Sequence, residues 1–342
     1  MSTTPMNDKV VIIQVIYNSR RFIKPVFEAI AAQTHKNCET VAVISGNDDG
    51  GKEFLGENFP WVKIIDPGYN IGFAKGHNLV FEKFPADFYQ LVNPDMVMEP
   101  NYIEEMLKAF ADKTVGAATG KLYQFKDLKL KIEDFRTNKI LDSTGVVVNK
   151  SGRARDRGQH EEDFGQYDNQ TSLRAVSAAG AMYRAGALKA VKLPALSPKH
   201  SPPSPSYEYF DEDFHSYWED VDLAWRMSIA GWKCVFVPSA LGYHGRGAGS
   251  SKGGYIRFLD FIRHHRALNQ RIRQLNYQNH IFMYIKNTRR FYPQFFVREF
   301  FMFFYILIFE PRTFKVLPQM FGLFPKIRGK RNYVINHVIK NI

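Results

Sequence analysis

Phe88-Tyr89-Gln90-Leu91-Val92-Asn93-Pro94-Asp95 is a short apolar run that stops in a polar turn. Five strand-forming residues followed by an Asn-Pro-Asp break read as a β-strand with an acid at its carboxyl end. Outward from it the rhythm repeats. On the N-terminal side lie a β-branched run at residues 10–16, helical spacing at 23–33, strands at 39–44 and 62–65, and a helix at 74–84. A helix at 102–111 and a strand at 115–119 follow it. Strands alternating with helices over short links imply an α/β domain whose parallel sheet is covered on both faces. Ligands in such sheets sit beyond the carboxyl ends of the strands, where the polar clusters at residues 45–51 and 93–95 fall.

Further along, residues 142–158 are rich in glycine and carry Gly152-Arg153-Ala154-Arg155-Asp156-Arg157-Gly158, and residues 194–206 hold five prolines and read as a mobile loop. Residues 219–230 form a helix by pattern, with acids at its start to complement the dipole and Gly231 to stop it. A strand at 233–238 and a glycine-rich stretch around His244 close this region.

With 342 residues and 45% hydrophobic content, the chain has room for one large domain or two modest ones. Two distant cysteines, Cys38 and Cys234, exclude a disulfide framework and read as packed thiols of a reducing compartment. The polar N-terminus shows no signal-peptide pattern, and the longest apolar run, residues 300–309, is too short to span a bilayer. The expected location is therefore cytosolic. The net charge of +12 is concentrated: residues 249–342 carry 17 Lys and Arg against three acids, so a near-neutral body precedes a strongly basic, phenylalanine-rich tail. That asymmetry points to an anionic partner for the tail.

Taken singly, the chemistry-bearing residues are ambiguous. Asp95 suits either a ligand site or a cap on the following helix, His244 suits either a ligand or a structural ring, and Glu219-Asp220-Val221-Asp222 suits either catalysis or a helix start. Their order decides. Val15-Ile16-Tyr17-Asn18, Asn70-Ile71-Gly72-Phe73-Ala74-Lys75-Gly76-His77-Asn78, Val92-Asn93-Pro94-Asp95, Asp142-Ser143-Thr144-Gly145, Gly152-Arg153 with Asp156-Arg157-Gly158, Gly165-Gln166-Tyr167-Asp168, Gly180-Ala181, Trp218-Glu219-Asp220-Val221-Asp222-Leu223-Ala224-Trp225-Arg226 and Tyr243-His244 follow one another in the chain. In this the sequence resembles the family-2 glycosyltransferases of the GT-A fold, in their bacterial rhamnosyltransferase-like branch. The resemblance covers residues 10–244 and continues more loosely to 286.

The resemblance implies a Rossmann-like, mixed but mainly parallel sheet flanked by helices, and an inverting transfer from a nucleotide-sugar, UDP- or dTDP-linked. By it, Asp95 and His244 would hold a magnesium or manganese ion, and Asp220, with Glu219 beside it, would deprotonate the acceptor hydroxyl. Tyr17, Asn18, Asn70, Gly72, Phe73, Gly76, Asn78 and Asn93 would line the donor, small residues letting backbone approach the nucleotide. There is a departure at the second strand, where an acid usually reads the base or ribose. Here Ser45 stands nearest that position, with Asp49 later in the loop. Asn93, replacing the first acid of an Asp-x-Asp motif, leaves the metal fewer anionic ligands. Arg153 and Arg157 read either as a solvated loop or as cations facing a diphosphate.

The tail mixes Arg257, Arg263, Arg266, Arg271 and Arg273 with apolar residues, then becomes dense in aromatics at 291–309 and 314–324, and carries Lys326-Ile327-Arg328-Gly329-Lys330-Arg331. Blocks of phenylalanine suit a lipid interface better than stacked bases, so an anionic membrane surface is expected and nucleic acid is not. A helical subdomain packed on the body is the alternative. The expected organisation is a catalytic domain at 1–248 (donor half about 1–115, acceptor half 116–248) and a helical membrane-associating extension at 249–342. The expected activity is transfer to a lipid-linked or surface-polysaccharide acceptor by a protein peripheral on the inner face of the cell membrane. A catalytically silent scaffold with the same fold is the rival from another class.

Overall fold

The computed structural model describes residues 7–46, 49–125, 139–196, 207–245, 262 and 265–339. The strand β1 (Val10–Ile16) leads to helix α1 (Arg20–Ala31), β2 (Cys38–Ile44), α2 (Gly51–Asn58), β3 (Lys63–Ile65), α3 (Phe73–Lys83) and β4 (Phe88–Leu91). Then come β5 (Met96–Met98), α4 (Tyr102–Ala109), β6 (Val115–Gln124), β7 (Leu141–Ser143), β8 (Val146–Val148) and β9 (Ala154–Asp156). The body closes with β10 (Ser172–Leu173), β11 (Ala181–Arg184), α5 (Ala185–Ala190), β12 (Leu193–Pro194), β13 (Tyr207–Glu208), α6 (Glu219–Ile229) and β14 (Lys233–His244). Three long helices follow: α7 (Gln270–Asn287), α8 (Pro293–Phe309) and α9 (Leu317–Tyr333).

The main sheet runs in the order β10-β14-β6-β11-β4-β1-β2-β3. β4, β1, β2 and β3 are parallel, as βαβ links require, and β14 is parallel to β6. β11 enters antiparallel between β4 and β6, so the sheet is mixed but mainly parallel. All seven residues of β1 are buried, because both sheet faces are covered. Alternation sends Val11, Ile13 and Val15 into one apolar cluster and Val10, Ile12 and Ile16 into another on the opposite face. α1, α2 and α4 cover the second face, while α3, α5, α6, α7 and α9 cover the first.

The expected division at residue 248 is not a break in packing. Phe282 and Met283 of α7 and Ile327 of α9 belong to the same cluster as Val11 and Leu223. Lys286 is fully buried on Asp211 and Asp222, and Lys330 is fully buried on Glu208 (2.7 Å), Asp211 and Asp213 (2.8 Å). Burial alone would raise the Asp211 carboxyl, but the two ammonium groups hold it well below the usual carboxylate range. Two of the basic tail residues expected to meet head groups therefore neutralise carboxylates of the body instead. Lys326 likewise pairs with Asp213, and Arg331 donates to the Thr288 carbonyl at 2.7 Å. Arg257, Arg263 and most of the proline-rich loop lie outside the described residues.

Candidate active site

Sheet register assembles the site. After β4 the chain turns at 93–95, the turn closed by Met96 N–H donating to the Asn93 carbonyl at 3.0 Å. β5 then pairs antiparallel with β14, setting Met96 opposite His244. The end of β14 therefore lies beside the turn, with His244 Nε2 3.2 Å from Asp95 Oδ1. On the other side of the ring, Nδ1 is 2.8 Å from Asp142 Oδ2 at the centre of β7. Burial would lower the histidine, but Asp142 and then Asp95 override it and hold the ring at about 9. Asn93 Nδ2 sits 3.3 Å from the same ring nitrogen as Asp95.

Helix α6, which begins at Glu219, lines the same cavity. Its entry is strained: His215, Tyr217 and Trp218 all have positive φ, at 60°, 72° and 75°. The side chain of Asn279 in α7 restrains this stretch, its amide donating to the carbonyls of Phe214 (2.9 Å), Ser216 (3.0 Å) and Tyr217 (2.9 Å). Trp218 Nε1 donates to Asn276 Oδ1 at 3.1 Å. Asp220 Oδ1 accepts from the Val221 N–H at 2.8 Å and Oδ2 from that of Ala178 at 3.3 Å. Burial outweighs these bonds and, helped by the charge of Asp156, raises its carboxyl to about 6. Glu219 is pushed higher still, to about 8, by burial and then by Asp220, and its Oε2 has no hydrogen-bond partner among the described residues.

Both groups open into one cavity of about 1130 Å³. Tyr17, Asn18, Phe73, Asn93, Asp95, Arg153, Glu219, Asp220 and His244 line it. The cavity continues between α7 and α8, past Arg273, Asn276, Arg298, Met302 and Ile306. A neutral hydroxyl-bearing ligand would meet the Asp220 carboxylate poised to take a proton, the Asp95–His244 pair offers a cation two ligands, and Arg153 offers an anion a charge in the same cavity.

The model of the family described as "Glycosyl transferase family 2" matches residues 11–189. The chain belongs to glycosyl transferase family 2. This family-2 chain is 22% identical over 246 residues to an N-acetylglucosaminyl-diphospho-decaprenol L-rhamnosyltransferase of Mycobacterium tuberculosis, covering 69% of this chain and 75% of that one. It is 25% identical over 126 residues to the glycosyltransferase GlyA of Streptococcus pneumoniae, covering 36% of this chain but spanning only 18% of GlyA's length. Among solved structures it resembles GalNAc-T7 with UDP, GalNAc and Mn2+ (TM-score 0.52, 10% identity, 82% of this chain and 51% of that one). It also resembles the mannosyltransferase PcManGT of Pyrobaculum calidifontis in complex with GDP-Man and Mn2+ (TM-score 0.49, 15% identity, 98% and 87% covered). The mainly parallel sheet flanked by helices is the GT-A architecture, shared with GalNAc-T7.

Several residues expected at the donor site of this family-2 transferase are absent from the cavity wall. Asp49 accepts from the N–H groups of Arg20 (2.9 Å) and Gly51 (3.0 Å), tying the loop after β2 to α1 and α2. Ser45 donates to Asn70 Oδ1 at 3.1 Å and accepts from Gly72 N–H at 3.2 Å, bracing the loop before α3. Asn78 is wholly turned to residues 209–212, its Nδ2 donating to the Phe210 carbonyl at 2.8 Å. Gly72 and Gly76 do admit a close approach, but to protein. A Cβ at Gly72 would lie 2.6 Å from the His215 ring, and one at Gly76 2.8 Å from Val15. Arg157, which reads either as a solvated loop residue or as facing a diphosphate, donates to the carbonyls of Thr144 (2.9 Å) and Gln170 (2.8 Å), between the rings of Tyr167 and Phe236. The structure adds Asp142, Asp156 and Asn279, of which Asp142 and Asp156 lie in quoted motifs that gave them no role.

Proposed function

We propose that this chain is an inverting hexosyltransferase that moves a sugar, rhamnose by analogy with its mycobacterial relative, from a UDP- or dTDP-linked donor to a hydroxyl of a lipid-linked or surface-polysaccharide acceptor at the cytoplasmic face of a membrane. The observation that carries the reading is Asp220, a partly buried carboxylate with a raised pKa, opening into the same cavity as Asp95 and His244. Its raised value suits a base working near neutral pH. The Asp220 carboxylate takes the acceptor's hydroxyl proton as the oxygen attacks the anomeric carbon. The bond from that carbon to the donor diphosphate breaks, its electron pair leaves with the diphosphate, and the configuration inverts.

Asp95 and His244, with Asn93, offer one carboxylate and one imidazole. Among the described residues there is no group of three His, Cys, Asp or Glu suited to a metal. Such a sparse set fits a magnesium or manganese ion that takes its other ligands from the donor's phosphates and water. Asp142 behind His244 is the carboxylate backing usual for a ligating histidine. When bound, the ion would offset the charge of the departing diphosphate. Arg153 lines the cavity and suits the same diphosphate.

The test is nucleoside diphosphate release with manganese across a panel of UDP-, dTDP- and GDP-sugars. Metal-dependent release from one donor, lost in Asp95→Ala and in Asp220→Asn while the latter still binds nucleotide, supports the reading. Absence of metal-dependent nucleotide binding would favour the silent scaffold.

A further inference from the structure

α8 is built inside out. Its inward side carries Phe295, Arg298, Glu299, Met302, Tyr305 and Ile306, spaced three and four apart as one helical face. Phe295 stacks on Tyr284 of α7 with ring centres 3.9 Å apart, and Tyr305 donates to Glu310 at 2.9 Å. The opposite side is wholly apolar: Phe296, Val297, Phe300, Phe301, Phe303, Phe304, Leu307 and Ile308 are each 43–67% exposed. Phe321 and Phe324 of α9 add to the exposed aromatic surface of the tail. Water-soluble helices put their charges outward and their apolar stripe inward; here Arg298 and Glu299 are on the inner side and the phenylalanines face out. A patch of this kind marks an interaction surface.

We propose that the outer face of α8 docks in the plane of an anionic lipid bilayer. The inference rests on the transferase reading only for its purpose, bringing a lipid-linked acceptor to the cavity; the docking itself needs no donor or acceptor. Four observations select a bilayer over another occupant. The face holds bulky aromatics with no polar group to specify a protein partner. Arg289 and Arg290 before α8, and Arg312 and Lys315 after it, are exposed at its two ends, where anionic head groups would meet them. Seventeen residues of helix extend roughly 25 Å, short of the roughly 30 Å hydrocarbon layer, so the helix lies in the interface and does not cross it. Among the described residues no helix is long and apolar enough to cross a membrane. Lastly, Met302 and Ile306, on the inner side of the same helix, line the cavity that holds Asp220. Docking by the outer face thus places the cavity next to the lipid head groups.

The experiment is flotation of the full chain with vesicles of phosphatidylethanolamine and phosphatidylglycerol, beside vesicles of phosphatidylcholine alone. The variant is F300S/F301S/F304S/I308S. None of these residues lines the cavity, so its thermal unfolding and nucleoside diphosphate release should match the parent's. The parent should float with anionic vesicles, at least tenfold more weakly with neutral ones, and the variant at least tenfold more weakly than the parent. Parent protein that stays at the bottom overturns the proposal, as does a variant that floats equally well. Light scattering that shows a dimer of the parent lost in the variant, with neither floating, would assign the face to a second copy and also overturn it. Donor release is read in the same preparations without vesicles, so failure to float leaves the transferase reading standing, and failure to turn over donor leaves the docking result standing.

Discussion

The carboxylate of Asp142 stands 2.8 Å from Nδ1 of His244, fixing the ring so that Nε2 points at Asp95. Asp142 is itself 1% exposed, so the pair is rigid. If His244 serves the cation beside Asp95, Asp142 sets its ring orientation and its basicity. Asp142→Asn should then weaken apparent manganese affinity about 10–100-fold. Titrating manganese against nucleoside diphosphate release checks this, with saturating metal restoring most of the rate. An unchanged manganese requirement would remove Asp142 from that role.

Asp220 must be unprotonated to accept the hydroxyl's proton. Its carboxyl sits at about 6, so kcat/KM should rise with pH through that value and level off above it. Burial is the main cause and cannot be edited without disturbing the fold, but the Asp156 charge contributes in the same direction. Asp156→Asn should move the acidic limb to lower pH while leaving the limb's slope unchanged. A pH–rate profile of the two proteins with one donor decides; coincident limbs would disconnect the limb from Asp220.

How much of this could be read from the sequence follows from how local each signal is. β1 and β2 announce themselves as β-branched runs, and the acids at the start of α6 and Gly231 after it mark that helix. β11, with only Ala181–Arg184, and the β8–β9 hairpin are too short and mixed in composition to carry a period. Asp95, Asp220 and His244 stand out only because their order along the chain resembles a family's; no pattern within any one segment brings them together. The glycines before and within α3 read as room for a nucleotide, because a sequence cannot say which atoms approach. The basic tail shows the same limit: Asp211 lies 75 residues from Lys286 and 119 from Lys330, a pairing no local pattern displays.

Those long-range pairs can be tested directly. Lys330 is the cation shared by Glu208, Asp211 and Asp213, and it is fully buried. Lys330→Met removes one buried charge, leaving Glu208 without a cation and Asp211 and Asp213 with only Lys286 and Lys326, so it should cost about 3–5 kcal/mol of stability at neutral pH. The sign with pH is distinctive. Asp211 is held below its unfolded value, so its contribution is present at neutral pH and is lost as pH falls through the folded value. In the variant the under-neutralised carboxylates, Glu208 first, gain by taking protons, so its deficit relative to the parent should shrink as pH falls. Urea midpoints at several pH values measure this, and adding Asp211→Asn should recover part of the loss.

Asn279 links the tail to catalysis most directly. Its amide is buried and donates to carbonyls of the strained stretch that delivers Glu219 and Asp220 to the cavity. It lines no part of that cavity, so it acts through the loop as a positioning residue. Asn279→Ala leaves those buried carbonyls without their donor, at a cost of about 1–3 kcal/mol. The larger effect should be on rate, because a displacement of about 1 Å in a catalytic group can cost about 100-fold. We therefore expect kcat to fall by roughly 10–100-fold while KM for the donor stays within about twofold, since the donor side proposed above is built from β4, β5 and β14. A merely structural asparagine would lower Tm and the active fraction but leave kcat per folded molecule unchanged. Active-site titration alongside steady-state kinetics separates the two, and Asn279→Gln, which keeps the amide on a longer stem, should recover stability more than rate.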